Sequence, residues 1–333
     1  MKITAYSVNG PGENPRPFVY ERTPGRNDVL VKVSHCAIAT GDIQMMNNAW
    51  GDSKYPLVPG HEIVGQVERA GANAAGLKIG DRVGIGYQLA ACFTCEFCKA
   101  GQEQFCLQQK VVGVDEYGGL ADHIIVDHRF VFKLPTKLES ARSAPLLSSG
   151  LTVYSAIVRA NLPAHATTAV LGIGGLGHLA IQFLHKMGHD VSAFSHSADK
   201  RPMVERLGGK FVDSADIDTQ ATNNKFDFIL STINAKLDLN AYLRMLKPQG
   251  KLCFVAQPPD GASLNVGLLY DYAQRTVYGN YTGSRKDMAR MLSFSAKHDI
   301  GAIVEVMPFS EMADAIGMLK SGKIPMRLVL KNS

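Results

Sequence analysis

The sequence predicts an α/β protein of two domains, one β-rich and one built on a doubly wound parallel sheet. Three observations predict it. At 333 residues, 46% hydrophobic and 20% charged, the chain is long enough to bury two cores. Residues 1 to about 135 carry short apolar runs broken by Gly, Pro and Asn, the pattern of a compact β domain. From about residue 168 onward, apolar strands alternate with helical patterns, and a glycine-rich turn stands at the first junction.

The strands expected in the first part are ITAYSV, DVLVKVSHCAIA, GHEIVGQVERAG, DRVGIG and GLADHIIVDHRFVFKLP. Those of the second part are TAVLGI, VSAFS, KFVD, FDFILST, GKLCFVA and TVYGNY, with helical patterns such as 198–207 and 237–246 between them. Six strands joined by crossover helices make a parallel sheet. After residue 281 a helix near 287–297, the strand VEVMP, a helix over 311–320 and a last strand MRLVLK break the alternation. They read as the chain returning to its first domain, which gives boundaries of 1–149 with 284–333, and 150–283.

The junction reads AVLGIGGLGH over residues 169–178. An apolar β run feeds Gly172, Gly174, Gly175, Leu176 and Gly177, and an amphipathic segment follows at 179–187. Strand, tight turn and helix in that order form a dinucleotide site, because glycines let the backbone turn sharply and let a pyrophosphate approach the helix start. The end of the second strand should then face the adenine ribose. It reads Phe194-Ser195-His196-Ser197, with Lys200 and Arg201 just beyond and no acid at the tip. An acid there would accept from both ribose hydroxyls and repel a 2′-phosphate, whereas hydroxyls and cations suit one. NADP(H) is therefore expected rather than NAD(H).

Four of the six cysteines, Cys92, Cys95, Cys98 and Cys106, form a C-x2-C-x2-C-x7-C array. Four thiolates at this spacing can close a tetrahedron, which favours one structural zinc with no open position; an iron–sulfur cluster is the rival reading. Cys36 and Cys253 lie in apolar strand-like runs and read as small buried hydrophobes. The formal net charge of +5 comes without a basic run, so a nucleic-acid partner is not expected. No stretch approaches the roughly 20 apolar residues of a membrane span, and the start lacks a signal-like apolar segment, so the expected location is the cytoplasm.

The cysteine array, Gly60-His61-Glu62 and the glycine turn together resemble the zinc-containing alcohol dehydrogenases of the medium-chain dehydrogenase/reductase superfamily. YPLVPGHEIVG at 55–65, GIGGLGH and FDFILST are most similar to the cinnamyl-alcohol-dehydrogenase branch, which reduces aldehydes with NADPH. The resemblance runs nearly end to end. It implies a GroES-like catalytic domain, a Rossmann domain that contributes Thr152 to the cofactor site, and a homodimer formed through the last Rossmann strand, TVYGNY.

The chain departs from the family at the catalytic metal. Where the family has Cys-x-x-Cys-His-Ser/Thr-Asp, this sequence reads Cys36-Ala37-Ile38-Ala39-Thr40-Gly41-Asp42, so Ala39 replaces a ligand and Gly41 a proton-relay hydroxyl. Where the family has Leu-Leu-Cys-Ala-Gly, it reads Leu146-Leu147-Ser148-Ser149-Gly150, so Ser148 replaces the second ligand. His61 and Glu62 alone do not make the three-ligand site of a catalytic zinc. The resemblance then leaves Thr40, His61 and Ser148 as the polar groups near the nicotinamide, with Glu62 or Asp42 supporting a protonated His61. Trp50, the sole tryptophan, falls in a loop that borders the substrate in this branch and suits an aromatic or bulky apolar molecule. The expected function is reduction of an aldehyde, ketone or enone without catalytic zinc; the alternative is a cofactor-binding protein that has lost turnover.

Overall fold

The computed structural model describes residues 1–216, 224–236, 238–258, 263–321 and 326–332. Among them the chain divides into two compact units, Met1–Ser148 with Ser284–Ser333, and Ser149–Gly283.

The first unit is organised by a seven-stranded sheet. Its spatial order is Val304–Pro308, Arg327–Lys331, Asp28–Ile38, Glu62–Ala70, Arg82–Ile85 and Phe132–Lys133, with His123–Asp127 pairing along Asp28–Ile38. All neighbours are antiparallel except Val304–Pro308 and Arg327–Lys331. The returning C-terminal segment therefore completes the sheet begun by the N-terminal third. Its register sets Leu328 against Ile38, and Ala37 against Glu62, so Arg327 and Glu62 meet at the end of the sheet.

Two features of this unit differ from the sequence reading. Arg16–Glu21 forms a hairpin with Lys2–Ser7. None of its six residues is fully buried, so the apolar alternation that would mark a strand is missing. The expected single strand over 119–135 breaks in two, because the Asp127 carboxylate accepts the Arg129 N–H and starts a 3-10 turn at His128–Phe130.

The second unit is a six-stranded parallel sheet. Its order is Lys210–Asp213, Asp190–Ser195, Thr167–Leu171, Phe226–Ser231, Leu246–Phe254 and Thr276–Gly279. The strand order reverses at Thr167–Leu171, which is the switch point where such sheets bind ligands. The pattern over 198–207 becomes a 3-10 turn, Ala198–Lys200, and a helix, Arg201–Arg206, with Pro202 in its first turn. In the expected 237–246 helix, Leu237 lies outside the described residues; the helix observed is Leu239–Met245, capped by the Asp238 carboxylate on Asn240 and Ala241 N–H. Among the described residues no helix is long and apolar enough to cross a membrane.

Candidate active site

In the second unit the glycine turn takes the form that its spacing implies. Gly172 adopts φ +85, where a side chain is strained, and a Cβ there would meet Ile233 and Thr232. A Cβ on Gly177 would lie 2.0 Å from the Gly172 carbonyl oxygen, so only glycine lets the helix Gly177–Lys186 start against the strand. Gly174 faces open space. The N–H groups of Ile173, Gly174, Gly175 and Leu176 make no backbone hydrogen bond among the described residues. Unpaired donors at the start of a ten-residue helix, with no side chain over them, fit the pyrophosphate of a dinucleotide.

The other expected cofactor residues are placed as follows. Ser195 is buried, and its Oγ accepts the Ser197 N–H at 3.1 Å, while His196 stands exposed beside it. Lys200, expected as a cation suited to a 2′-phosphate, donates its Nζ to the Ile173 carbonyl at 2.8 Å. Thr152 donates to the Tyr281 carbonyl at 2.9 Å and so fastens its helix to the end of the last strand.

In the first unit Cys92, Cys95, Cys98 and Cys106 bring their sulfurs within 4.8 Å of one another. Three backbone N–H groups aim at these sulfurs: Thr94 at 3.4 Å and Cys95 at 3.3 Å on Cys92, and Cys92 at 3.5 Å on Cys106. Donors from Thr94 and Cys95 bring the Cys92 thiol down to about 5, whereas burial pushes Cys98 up to about 12. Phe93 turns the loop at φ +58. That left-handed conformation costs about 1–2 kcal/mol for a residue with a Cβ. Contact of the Arg129 guanidinium, 3.6 Å from its ring centroid, offsets part of it. Arg285 ties the lobe down by pairing with Glu103 at 3.2 Å.

The candidate catalytic position is built around a buried carboxylate. Asp42 Oδ1 accepts the Gly60 N–H at 2.9 Å and lies 2.8 Å from His61 Nδ1, and Oδ2 accepts the Ala39 N–H at 2.8 Å. The loop before the helix Thr40–Met46 and the loop before the strand Glu62–Ala70 are thereby held on one side chain. Burial alone would lower the His61 pKa, but the Asp42 charge and hydrogen bond outweigh it and raise it above the usual 6.5. The same contact holds Asp42 below the usual carboxylate value against the opposing effect of burial. The pair's stabilisation is thus strongest between the two ordinary values. It is lost as pH falls through the depressed Asp42 pKa or rises through the raised His61 pKa.

His61 Nε2 has no hydrogen-bonding partner among the described residues. Gly41 and the Trp50 indole lie beside it, since a Cβ on Gly41 would sit 3.9 Å from both Nε2 and Trp50 Cη2. The Tyr87 ring stands edge-on at 6.0 Å between centroids. Glu62 is fully buried and pairs with the buried Arg327; it supports a protonated His61 through its charge, which adds to the larger Asp42 effect, rather than through a hydrogen bond. Thr40 is exposed and Ser148 half-buried, and neither hydrogen-bonds to His61.

Comparison with known proteins places this geometry. Residues 25–136 match the alcohol dehydrogenase GroES-like domain and residues 175–297 the zinc-binding dehydrogenase domain. Aldehyde reductase AdhA of Synechocystis sp. is 40% identical over 99% of both chains. The chain belongs to the zinc-containing alcohol dehydrogenase family. Within it, the likeness is to the cinnamyl-alcohol-dehydrogenase branch. A cinnamyl alcohol dehydrogenase structure from Sorghum bicolor is 32% identical with a TM-score of 0.92, covering 99% of this chain and 98% of that one. A structure titled CAD from Helicobacter pylori, complexed with NADP(H), is 30% identical with a TM-score of 0.90 over the same shares. The chain is therefore an alcohol/aldehyde dehydrogenase-type oxidoreductase, which favours turnover over the binding-only alternative.

Membership in the family makes the remaining donors at the catalytic position informative. Ala39 offers a methyl group, Ser148 a neutral hydroxyl, Glu62 is paired with Arg327, and both Asp42 oxygens are engaged. Among the described residues, Cys92, Cys95, Cys98 and Cys106 form the sole group of three or more ligand-bearing side chains close enough to share an ion. The donor set around His61 does not fit a catalytic zinc. The sequence reading missed Tyr87, Thr232 and Arg327; a lone Tyr after a strand and an Arg opening the last strand carry no local signal.

Removing one member of the buried Glu62–Arg327 pair should be far worse than replacing both. Glu62→Gln is expected to cost about 3–5 kcal/mol in urea unfolding, and Glu62→Leu with Arg327→Met much less.

Proposed function

We propose that this chain is an NADP(H)-dependent reductase of aldehydes, ketones or enones. It holds one structural zinc and delivers its proton from His61, held by Asp42, rather than through a metal site. The observation that carries this reading is the 2.8 Å contact of His61 Nδ1 with a fully engaged Asp42, which leaves Nε2 as a donor where the family's thiolate ligands are absent. The bound nicotinamide supplies the hydride. The glycine turn of residues 172–177 holds the pyrophosphate, and Ser195, His196, Ser197 and Lys200 stand on the 2′-phosphate side. The NADP(H) complex of the Helicobacter pylori relative supports that choice.

The chain's own residues handle the substrate oxygen. As negative charge develops there, protonated His61 donates from Nε2 while Asp42 fixes the ring's orientation and stabilises its charge. The Trp50 indole, which borders Gly41 as His61 Nε2 does, suits an aromatic or bulky apolar carbonyl, as do relatives named for cinnamyl alcohol. Thr40 and Ser148 remain as weaker donors. The four-cysteine lobe fits zinc by donor type and spacing.

A homodimer accounts for the rim of the parallel sheet. Thr276–Gly279 is an open edge strand, and Val266, Tyr270, Tyr272 and Tyr281 nearby are exposed, Tyr272 to 98%. An uncovered apolar edge of this kind invites pairing with a second copy.

Each part of this reading has its own measurement. With cinnamaldehyde-like substrates and NADPH, kcat/KM for reduction should be flat at low pH and fall as pH rises through the raised His61 pKa. Asp42→Asn should move that fall to lower pH, and His61→Gln should lower kcat by about 10²–10⁴-fold; a profile unmoved in Asp42→Asn refutes the assignment. Elemental analysis should give about one zinc per chain, with activity surviving a chelator that strips weak sites. A second equivalent whose removal abolishes turnover overturns the metal-free proton path. Fluorescence titration should show NADPH binding more tightly than NADH, and light scattering at micromolar protein should give twice the chain mass.

A further inference from the structure

The glycine turn is held from behind by side chains far away in sequence. Thr232, the residue after the strand Phe226–Ser231, places its Oγ1 at 3.0 Å from both the Leu171 and the Gly172 carbonyl oxygens. Its N–H also donates to Leu171 O at 2.9 Å. Lys200 Nζ takes the next carbonyl, Ile173, at 2.8 Å. The His178 N–H donates to the Gly174 carbonyl at 3.1 Å, and its Nδ1 lies 2.9 Å away. Four successive carbonyls, 171 to 174, are thereby satisfied on the inner side of the turn, while the N–H groups of residues 173–176 make no backbone hydrogen bond.

A peptide unit whose carbonyl is fastened has its N–H directed to the opposite side. Fastening the Gly172 and Ile173 carbonyls aims the Ile173 and Gly174 N–H groups, and we infer that Thr232, assisted by Lys200, is a positioning residue for the cofactor's pyrophosphate: together they orient these donors before the anion arrives. Preorganised donors bind without the cost of reorienting on binding. The close contacts agree, since a Cβ on Gly172 or Gly177 would come within 3.0 Å and 3.4 Å of Thr232 Oγ1, leaving the hydroxyl filling the floor of the turn. Lys200 accordingly acts through the backbone as well as through any phosphate near the second strand. This inference rests on the dinucleotide reading of the turn.

The test is fluorescence titration of the full chain with NADPH, NADH and 2′-AMP, the last of which has no pyrophosphate. Thr232→Val keeps the shape and removes the donor. It should weaken NADPH and NADH alike by about ten-fold, leave 2′-AMP unchanged, and be rescued to within about two-fold by Thr232→Ser. Lys200→Met should weaken NADH too, although NADH carries no 2′-phosphate. Wild-type binding of both dinucleotides with Thr232→Val unchanged, or an equal loss for 2′-AMP, overturns the inference. Should Thr232→Val fail to fold, the Lys200→Met titration with NADH decides it, an unchanged affinity counting against. A wild-type chain that binds no dinucleotide at all overturns the cofactor reading, and this inference with it.

Discussion

Everything at the centre of the first unit depends on one buried carboxylate. Asp42 collects N–H groups from Ala39 and Gly60 and the imidazole of His61, so two loops that bring functional groups together are fixed by a single side chain. A carboxylate in that setting is stable only because its charge is answered from three directions, and it in turn raises the pKa of His61.

The four-cysteine lobe and the pocket around His61 are held together in different ways. The cysteine lobe closes on itself over a few turns of backbone and is clamped to the unit by Arg129 on Phe93 and by Arg285 on Glu103. Its four sulfurs are mutually close. The candidate catalytic position draws instead on segments far apart in the chain, with Asp42 joined to His61 and Glu62 to Arg327. Glu62 illustrates this: its partner Arg327 comes from the last strand of the sheet, so the pair is sustained by the fold whether or not a metal is nearby.

The second unit uses backbone for the same end. Unpaired N–H groups at the switch point of the parallel sheet are valuable only if they are aimed, and the aiming is done by hydrogen bonds to the opposite carbonyls. Glycine supplies the conformations and the close approach at positions 172 and 177, and neighbouring strand ends supply the restraint.

What the sequence determined by itself was local. The strand, glycine turn and helix were legible because φ above zero, absent side chains and 3.6-residue periodicity are properties of a short stretch. The cysteine array was legible because its four ligands fall within one loop, and the loss at Ala39 and Ser148 because a methyl or a hydroxyl cannot stand for a thiolate. The strand Arg16–Glu21 escaped because an exposed hairpin arm lacks the apolar alternation. The tertiary structure alone decided partners. Asp42, not Glu62, meets His61; Glu62 goes to Arg327, 265 residues away; and Thr232 reaches Gly172 across 60 residues. Those choices follow from strand register and sheet order, which set where the end of one segment lies against another, and no local pattern of residues carries that information.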